Sequence, residues 1–448
     1  MSDNYVNSQA PVDDAAATLS RYIQFDTTNP PGNELPAAQW LRDQLVRREI
    51  TKDVTIHEPF PGRGLVLARI PASEPLKPLL INHHIDVVAA DPSQWTHPPF
   101  SGEIADGFVW GRGTLDTKCL GVVFMLALES LLKEGVHFRR PIVFLAVPDE
   151  EAGGSGMKWL VENHAATIDP EWVWDEGSGG LEGVFGPQVM FGVAIAEKRV
   201  QWLRLVATGE PGHGSMPHNN NANATLLNAL HRIVSSPRPL RVNATAAEMF
   251  RSVAATQKFP ASLALRHLSN PLLLSLAAKR LSADKLTNAL LRDTVSLNVL
   301  KAGYKTNVIP ERAEAEVDCR LLPETKDEEF LCWVKERIAD DRVQVEVIQA
   351  SPPSGVAPVD NPFYKAVVNA VNRYAPGAGV FPLLVPGATD GRYWRQRGYP
   401  AYGFGPMILN RADLNRPHGI DERISIENLG LGIKMTRDII VELCAKES

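Results

Sequence analysis

Residues 146–156 read Ala-Val-Pro-Asp-Glu-Glu-Ala-Gly-Gly-Ser-Gly, and they continue an uncharged run that extends from Pro141 to Val147. The run is rich in β-branched and aromatic residues and does not alternate with polar ones, which is typical of a strand buried on both faces of a parallel sheet. Ligands of open α/β sheets bind beyond the carboxyl ends of such strands. Three adjacent acids at that point repel one another unless a cation or shared protons offset the repulsion. The stretch therefore predicts a divalent metal site, although acids at a strand end can also simply cap the next helix.

Composition limits the protein classes to consider. The 448 residues exceed what one hydrophobic core usually supports, so we predict two domains. A 44% hydrophobic and 22% charged content is that of an ordinary soluble globular protein. The net charge of -6, without a Lys/Arg-rich run, gives no reason to expect nucleic acid as a partner.

The termini, apolar runs and cysteines bear on where the protein resides. Residues 1–14 are polar and acidic and lack the features of a secretory signal. Charges interrupt every apolar run before about 18 residues, so we expect neither a membrane span nor a membrane partner. The four cysteines lack metal-type spacing and indicate reduced thiols of a cytoplasmic protein: Cys119, Cys319, Cys332 and Cys444.

Strand and helix patterns alternate along the first part of the chain. We predict helices at 12–23, 35–48, 119–134 and 155–164, and strands at 53–58, 64–70, 78–85 and 141–147. This order predicts an α/β fold with a mostly parallel, covered sheet. Polar and apolar residues alternate over 199–205, which indicates an antiparallel strand with one wet face. We therefore predict an α+β lid domain, 198–350, inserted between two parts of the α/β domain, 1–197 and 351–448.

Other candidate site residues also follow strands or precede helices. His84 and Asp86 lie two residues apart at the end of a predicted strand, so their side chains leave the same face. Asp116 follows two glycines at the start of an apolar helix, where it is either a ligand or only a helix cap. Glu176 follows the apolar strand that begins at Trp172, and His418 lies in a turn-like loop.

Taken together, these motifs follow the order of one family. The chain resembles, from about residue 20 to 430, the co-catalytic zinc family of aminoacylase, glutamate carboxypeptidase, succinyl-diaminopimelate desuccinylase and carboxypeptidase S. The resemblance rests on these motifs: His84-Ile85-Asp86, Trp95 to Phe100, Gly111-Arg112-Gly113 with Asp116, Glu150-Glu151, Asp175-Glu176-Gly177, Pro211 to Ser215, Asn307 to Pro310, Gly387 to Arg392, and His418.

The resemblance implies a pair of zinc ions. His84, Asp116 and Glu176 would hold one ion, and Asp116, Glu151 and His418 the other. Carboxylates and imidazoles suit Zn²⁺ at about 2.0 to 2.2 Å, and a bridging carboxylate spaces two ions at roughly 3.5 to 4 Å. Co²⁺ or Mn²⁺ are possible substitutes.

Further roles come from the same resemblance. Glu150 would be the general base, and the carboxylate of Asp86 would accept a hydrogen bond from the other ring nitrogen of His84. His213 would stabilise the oxyanion in the neighbouring subunit of a homodimer formed through the lid. Four further residues are expected to face substrate: Asn307, Arg320, Thr389 and Arg392. Relatives also lead us to expect a cis peptide between Asp116 and Thr117.

The resemblance implies a dinuclear zinc amidohydrolase that cleaves an N-acyl or peptide bond next to a free carboxylate, acting on N-acyl amino acids or short peptides. A metallo-dipeptidase or aminopeptidase is the alternative, but it would need a dedicated acid to bind a free amine. From another class, a metal-binding regulatory protein with a decayed site is possible, yet no ligand is missing. Residues 240–292 match no motif, and their apolar runs belong either to the lid core or to the acyl side of the cleft.

Overall fold

The computed structural model describes residues 9–446, with side chains from residue 12 onward. The expectation that no secretory signal is present concerns residues that lie mostly outside this range. The helices of the described residues are α1 Gln9–Ile23, α2 Leu35–Arg47, α3 Lys118–Lys133, α4 Ser155–Ile168, α5 Ala222–Val234, α6 Ala244–Ala254, α7 Ala261–Arg266, α8 Pro271–Ala283, α9 Lys285–Leu291, α10 Asp327–Ile338, α11 Pro362–Tyr374, α12 Gly391–Gln396 and α13 Ile426–Cys444. Among these residues, no helix combines the length and apolar composition that a bilayer crossing requires.

A mixed sheet forms the centre of the molecule. Its strands are β1 Val54–Phe60, β2 Arg63–Ile70, β3 Leu79–His84, β6 Ile142–Val147, β7 Trp172–Asp175, β8 Gly180–Leu181, β9 Met190–Glu197, β16 Gly379–Val385, β17 Ala401–Gly403 and β18 Ile408–Leu409. The order is β1-β2-β6-β3-β7-β17-β9-β8-β18, with β16 beside β9. The run from β6 to β17 is parallel, whereas β1, β2 and β9 contribute antiparallel pairs. The predicted α/β fold with a mostly parallel central sheet is confirmed.

The continuous apolar strands are explained by helices on both faces of this sheet. Ile81 and Phe144 point to one face and pack in a cluster with α1, α3, α11 and α13. Leu80 and Val143 point to the other face and pack with α4 and Trp394 of α12. Every residue of β3 and β6 is buried, so neither strand has a polar side to alternate with.

A second sheet is antiparallel throughout. It consists of β10 Arg199–Thr208, β12 Thr294–Ala302, β14 Arg312–Leu321 and β15 Val343–Ala350, in the order β12-β14-β10-β15. Helices α5 and α10 cover one face, and the other face is partly exposed. Only Lys198 separates β9 of the first sheet from β10 of the second. These strands fall within 198–350, and the division of the chain into domains stays a prediction.

Two small sheets complete the fold: β4 Ile104–Ala105, β5 Phe108–Trp110 and β19 Arg423–Ser425 form one, and β11 Gly212–His213 with β13 Val308–Ile309 forms the other. Helices α6 to α9 form a layer of their own that packs against β16 rather than against the second sheet. Leu268, Phe381 and Leu384 are buried in that contact. The apolar residues predicted around 240–292 are therefore partly core.

Candidate active site

Three neighbouring parallel strands bring the candidate acids and His84 to one edge of the first sheet. His84 is the last residue of β3 and pairs in register with Val147, the last residue of β6. Glu150 and Glu151 lie in a short turn directly after β6, and Glu176 follows the end of β7. Because β3 lies between β6 and β7, these side chains converge at their shared carboxyl edge.

Asp116 lies between two histidines. Its Oδ1 is 3.1 Å from Nε2 of His84, and its Oδ2 is 3.1 Å from Nε2 of His418. Glu176 Oε2 is 3.5 Å from His84 Nε2, and Glu151 Oε2 is 3.1 Å from His418 Nε2. The Asp116–Thr117 peptide is cis, as expected. The two triads implied by the resemblance are thus adjacent, and Asp116 is common to both.

Glu150 and Glu151 differ in what they contact. The donor atoms of His84, Glu150 and Glu176 lie within 4.8 Å of one another, as do those of His84, Asp116 and Glu151, so distance alone admits either acid as a ligand. Glu151, however, contacts His418 directly at 3.1 Å. The carboxylate of Glu150 makes no corresponding contact with either histidine among the described residues. This difference favours Glu151 as the ligand and leaves Glu150 available to handle protons.

The donor set fits divalent cations. Burial, together with the charge of Glu176, raises the pKa of Glu150 well above its usual value. Burial, together with the charges of Asp116 and Asp175, raises the pKa of Glu176 to about 8. Clustered buried carboxylates are costly in the absence of positive charge, and carboxylates with imidazoles are the ligands that Zn²⁺ prefers. The arrangement therefore suits two metal ions that share Asp116.

The structure refines the role predicted for Asp86. Nδ1 of His84 is 2.8 Å from the main-chain oxygen of Asp86 but 3.6 Å from its carboxylate Oδ1. The main-chain oxygen of Asp86, and not its carboxylate, therefore orients the His84 ring. The buried carboxylate accepts instead from the main-chain N–H groups of Glu150 and Glu151, at 3.0 and 3.1 Å, and from Asn29 at 2.8 Å. Asp86 therefore holds the turn that carries both glutamates.

Two further buried acids hold loops of the site, and the sequence reasoning missed both. Glu422 accepts from the main-chain N–H groups of Leu115, at 2.7 Å, and Asp116, at 3.1 Å, and from Nη1 of Arg112 at 2.7 Å. Glu197 accepts from the main chain of Thr389 at 2.8 Å and from its hydroxyl at 2.7 Å. Both acids stand beside other charged residues in the sequence, a pattern typical of exposed positions, so no signal pointed to them.

A cavity of about 630 Å³ opens between the two sheets over this cluster. Its floor includes Asp116, Glu150, Glu151, Glu176 and His418. Trp202 and Arg320 of the second sheet form the opposite wall. The volume lies within the range of small-molecule sites, about 300 to 1,000 Å³.

The predicted substrate-binding residues divide into two groups. Arg320, Thr389 and Arg392 line the cavity, whereas Asn307 does not. His213, the predicted oxyanion donor, does not line it either. Arg392 donates to the main-chain oxygens of Thr389 and Gly153, at 2.9 and 2.8 Å, so it braces the cavity wall. Arg320 forms a fork to Asp318, with contacts at 2.7 and 3.1 Å. Both guanidinium groups therefore already have partners.

His213 lies on the small sheet of β11 and β13, away from the cavity of its own chain. It is exposed, and its Nδ1 is 2.7 Å from the hydroxyl of Ser215 and 3.1 Å from the Ser215 N–H. Asn307 is its neighbour, since its main-chain oxygen accepts from the Gly214 N–H at 2.9 Å. Within this chain, neither residue reaches the cluster around Asp116.

The segment 240–292 does not line the cavity, although all of it lies in the described part of the chain. Phe259 and Leu263 are exposed, and Leu268 is buried in the contact with β16. The suggestion that this segment forms the acyl side of the cleft is therefore not supported. Apolar cavity walls come instead from Val200, Trp202, Met407 and Leu409.

Comparison with known proteins places the chain in a family. The model of peptidase family M20/M25/M40 matches residues 80–442. The chain is 34% identical to the N-fatty-acyl-amino acid synthase/hydrolase PM20D1 of Xenopus tropicalis over 82% of this chain and 72% of that protein. It is 33% identical to the probable carboxypeptidase S-like 2 of Dictyostelium discoideum over 79% of this chain and 69% of that protein.

A solved structure extends the likeness to the fold. The M20 family metallo-carboxypeptidase Sso-CP2 from Sulfolobus solfataricus matches with a TM-score of 0.70 at 18% identity, covering 95% of this chain and 98% of that one. The family match and the resemblance inferred from the sequence motifs indicate the same family, and the match to the solved structure shows the fold of a member of that family. The chain belongs to peptidase family M20/M25/M40, and it is a hydrolase of amide or peptide bonds.

Proposed function

We propose that the protein is a dinuclear zinc hydrolase that cleaves N-acyl amino acids, or short peptides, at an amide bond next to a free carboxylate. The observation that carries this proposal is the position of Asp116, whose two oxygens each lie 3.1 Å from a different histidine, His84 and His418. A carboxylate that faces two imidazoles in this way is suited to bridge two cations.

The metal ligands proposed from the family fit the contacts described above. One ion would be held by His84, Asp116 and Glu176, and the other by Asp116, Glu151 and His418. Zn²⁺ bound there would polarise the scissile carbonyl and lower the pKa of a nearby water. Co²⁺ and Mn²⁺ accept the same oxygen and nitrogen ligands and are expected to substitute.

Glu150 is proposed as the general base. Its side chain lines the cavity beside the Asp116 cluster and, among the described residues, makes no close contact with a histidine of the kind that Glu151 makes. Glu150 would take the proton of the attacking water and pass it to the leaving nitrogen. Such a role typically contributes about 10² to 10⁴ in rate.

Selection of the substrate is proposed to occur on the second sheet and the loop at Thr389. Arg320 is the guanidinium best placed to receive the substrate carboxylate, because it lines the cavity and its present partner, Asp318, is only partly buried. Trp202 is 38% exposed and stands on the same wall, which suits an apolar acyl group or side chain. The relative that acts on N-fatty-acyl amino acids supports this orientation.

We further propose a cytoplasmic homodimer in which His213 and Asn307 serve the site of the partner subunit. His213 is exposed, and because its Nδ1 is engaged by Ser215, its Nε2 is left to donate outward. A donor in that position stabilises the charge that develops on the carbonyl oxygen. The dimer would form through the lid, residues 198–350.

One assay tests this function. The purified protein, supplied with Zn²⁺, Co²⁺ or Mn²⁺, is screened against acetyl, butanoyl and octanoyl amino acids, the corresponding amides that lack a free carboxylate, and dipeptides. We expect metal-dependent hydrolysis of acyl amino acids, no hydrolysis of the amides, and kcat/KM that rises with acyl length. Equal cleavage of the amides would contradict the requirement for a free carboxylate and indicate a general amidase. A preference for dipeptides over acyl amino acids would favour the alternative, a metallo-dipeptidase.

A further inference from the structure

Helices α7 and α8 and the adjacent Phe259 expose large apolar side chains to solvent. Lys258 and Lys285 flank this segment. Phe259 is 80% exposed, Leu263 53%, Leu272 76% and Leu276 82%. Leu272 and Leu276 are four residues apart on α8, so they lie on the same side of that helix. Single exposed leucines are ordinary, but four large apolar residues within 18 positions form a patch that needs a partner. We call this patch and its flanking cations the α7–α8 surface.

The opposite sides of the same two helices are anchored. Leu265 of α7, together with Leu274, Ala277 and Leu281 of α8, packs against the cluster that includes β16 and α6. Because both helices rest on one core cluster, their exposed sides both face away from it. The exposed leucines are therefore not needed to hold the helices in place.

Basic residues far outnumber acidic residues around this patch. Residues 258–285 contain five basic residues and one acidic residue, in a chain whose net charge is -6. The basic residues are Lys258, Arg266, Lys279, Arg280 and Lys285. None of them forms an ion pair with any residue that the structure describes. The one acid, Asp284, caps α9 by accepting from the Thr287 N–H at 2.9 Å.

The combination of apolar and basic side chains on one surface favours one kind of binding partner. A second copy of the chain docked by twofold symmetry would place the same unpaired cations opposite one another. On an anionic lipid surface, by contrast, leucine and phenylalanine side chains insert at the level of the headgroups, and the negative lipids attract each basic side chain of the protein. We infer that the α7–α8 surface docks the protein peripherally on bilayers that carry anionic lipid. This differs from the expectation of no membrane partner, which considered spanning segments.

The test measures partitioning into vesicles without any substrate. The full chain is mixed with vesicles of phosphatidylcholine alone or with phosphatidylglycerol, and the bound fraction is measured by sedimentation at low and high salt. We expect binding to the anionic vesicles that weakens at high salt. Leu272→Glu with Leu276→Glu should weaken it about a hundredfold. Lys279→Gln with Arg280→Gln should weaken it about twenty-five-fold, since each cation near such a surface contributes about fivefold.

Val46→Glu with Val441→Glu is the matched control, because Val46 on α2 is 41% exposed and Val441 on α13 is 40% exposed, outside this surface and outside the predicted lid. It should bind vesicles like the unaltered protein, and circular dichroism with thermal unfolding should show all variants folded. The inference is overturned if anionic vesicles do not bind, or if Val46→Glu with Val441→Glu weakens binding as much as the α8 variants. It is also overturned if light scattering shows that the α8 variants dissociate an oligomer, because a second copy would then cover the surface.

Discussion

The cavity lies between the first sheet, which carries the Asp116 cluster, and the second sheet, which carries Trp202 and Arg320. We call these two sides the first and second walls, and they are built in different ways. On the first sheet, site residues follow buried parallel strands, and buried acids hold their loops: Asp86 binds the turn at Glu150, and Glu422 binds the loop at Asp116. On the second sheet, Trp202 and Arg320 project from an antiparallel face that is partly exposed. The nearest acid to Arg320 is Asp318, on its own strand.

This difference predicts that the first wall carries out the chemistry and the second wall selects the substrate. Side chains whose positions are fixed by several buried hydrogen bonds suit chemistry, because catalysis requires reacting groups to be held within fractions of an ångström. Side chains on a partly exposed sheet face can be exchanged at small cost to stability, and they suit selection among substrates. Changes on the first wall should therefore affect every substrate, and changes on the second should affect some substrates more than others.

Metal removal should have the largest effect, and it concerns the first wall alone. We expect chelation to abolish activity, and elemental analysis of the active protein to approach two metal ions per chain. Asp116→Ala should lose metal, because each of its oxygens faces a different histidine. Asp360→Ala is the control, since the Asp360 side chain is 91% exposed. Full activity in a metal-free preparation would contradict the proposal.

Glu150→Gln should have the next largest effect and should separate proton transfer from metal binding. The amide cannot accept the proton, so kcat should fall by about 10² to 10⁴ for all substrates while both metals stay bound. The neighbouring change Glu151→Gln should lose metal instead, because Glu151 contacts His418. Metal content and kcat are measured on both variants. If Glu150→Gln kept near-normal turnover, Glu150 would not be the base.

His213→Ala tests whether the second wall is completed by a partner subunit. Loss of one oxyanion donor typically lowers kcat by about 10² to 10³. Mixing His213→Ala subunits with Glu150→Gln subunits should restore activity, because the mixed dimer would contain one site with both an intact Glu150 and an intact His213. The measurement is kcat of each variant and of the mixture after exchange of subunits. Absence of recovery in a verified mixed dimer would assign His213 to its own chain or to no catalytic role.

Trp202→Ala should have the smallest and most selective effect. Loss of the apolar face should lower kcat/KM for octanoyl amino acids about tenfold, and acetyl substrates should change little. The short substrate serves as the internal control for folding and metal content. A uniform loss across acyl lengths would mean that Trp202 supports the site rather than selects among substrates, and the contrast between the two walls would fail.

Much of the first wall could be predicted from the sequence. The uncharged run up to Val147 indicated a strand buried on both faces, and the structure shows all of β6 buried between two helical layers. The positions of His84, Glu150 and Glu176 followed, because the carboxyl ends of parallel neighbours share one edge. The absence of polar alternation within these strands, and the polar residues at their ends, carried the information.

Pairings between distant segments could not be predicted. Strand β17 lies between β7 and β9, and no periodic pattern reports which strand becomes a neighbour. Glu422 stands in the run Asp421-Glu422-Arg423, which is typical of an exposed turn, yet it is fully buried. The side chain that would satisfy Glu422 is Arg112, remote in sequence, so its burial depends on tertiary contacts alone.

The hydrogen bonds of Glu422 have a consequence for how the protein is made. This carboxylate lies 306 positions beyond Asp116, whose N–H it accepts, and His418 lies just before it. A nascent chain emerging from the ribosome would thus present β3, β6 and β7 long before the Asp116 loop acquires its anchor. Loading of the proposed metal pair would then be a late event in biosynthesis, and a chain whose translation stops before His418 would carry the strands of the site without one of the residues proposed to hold the second ion.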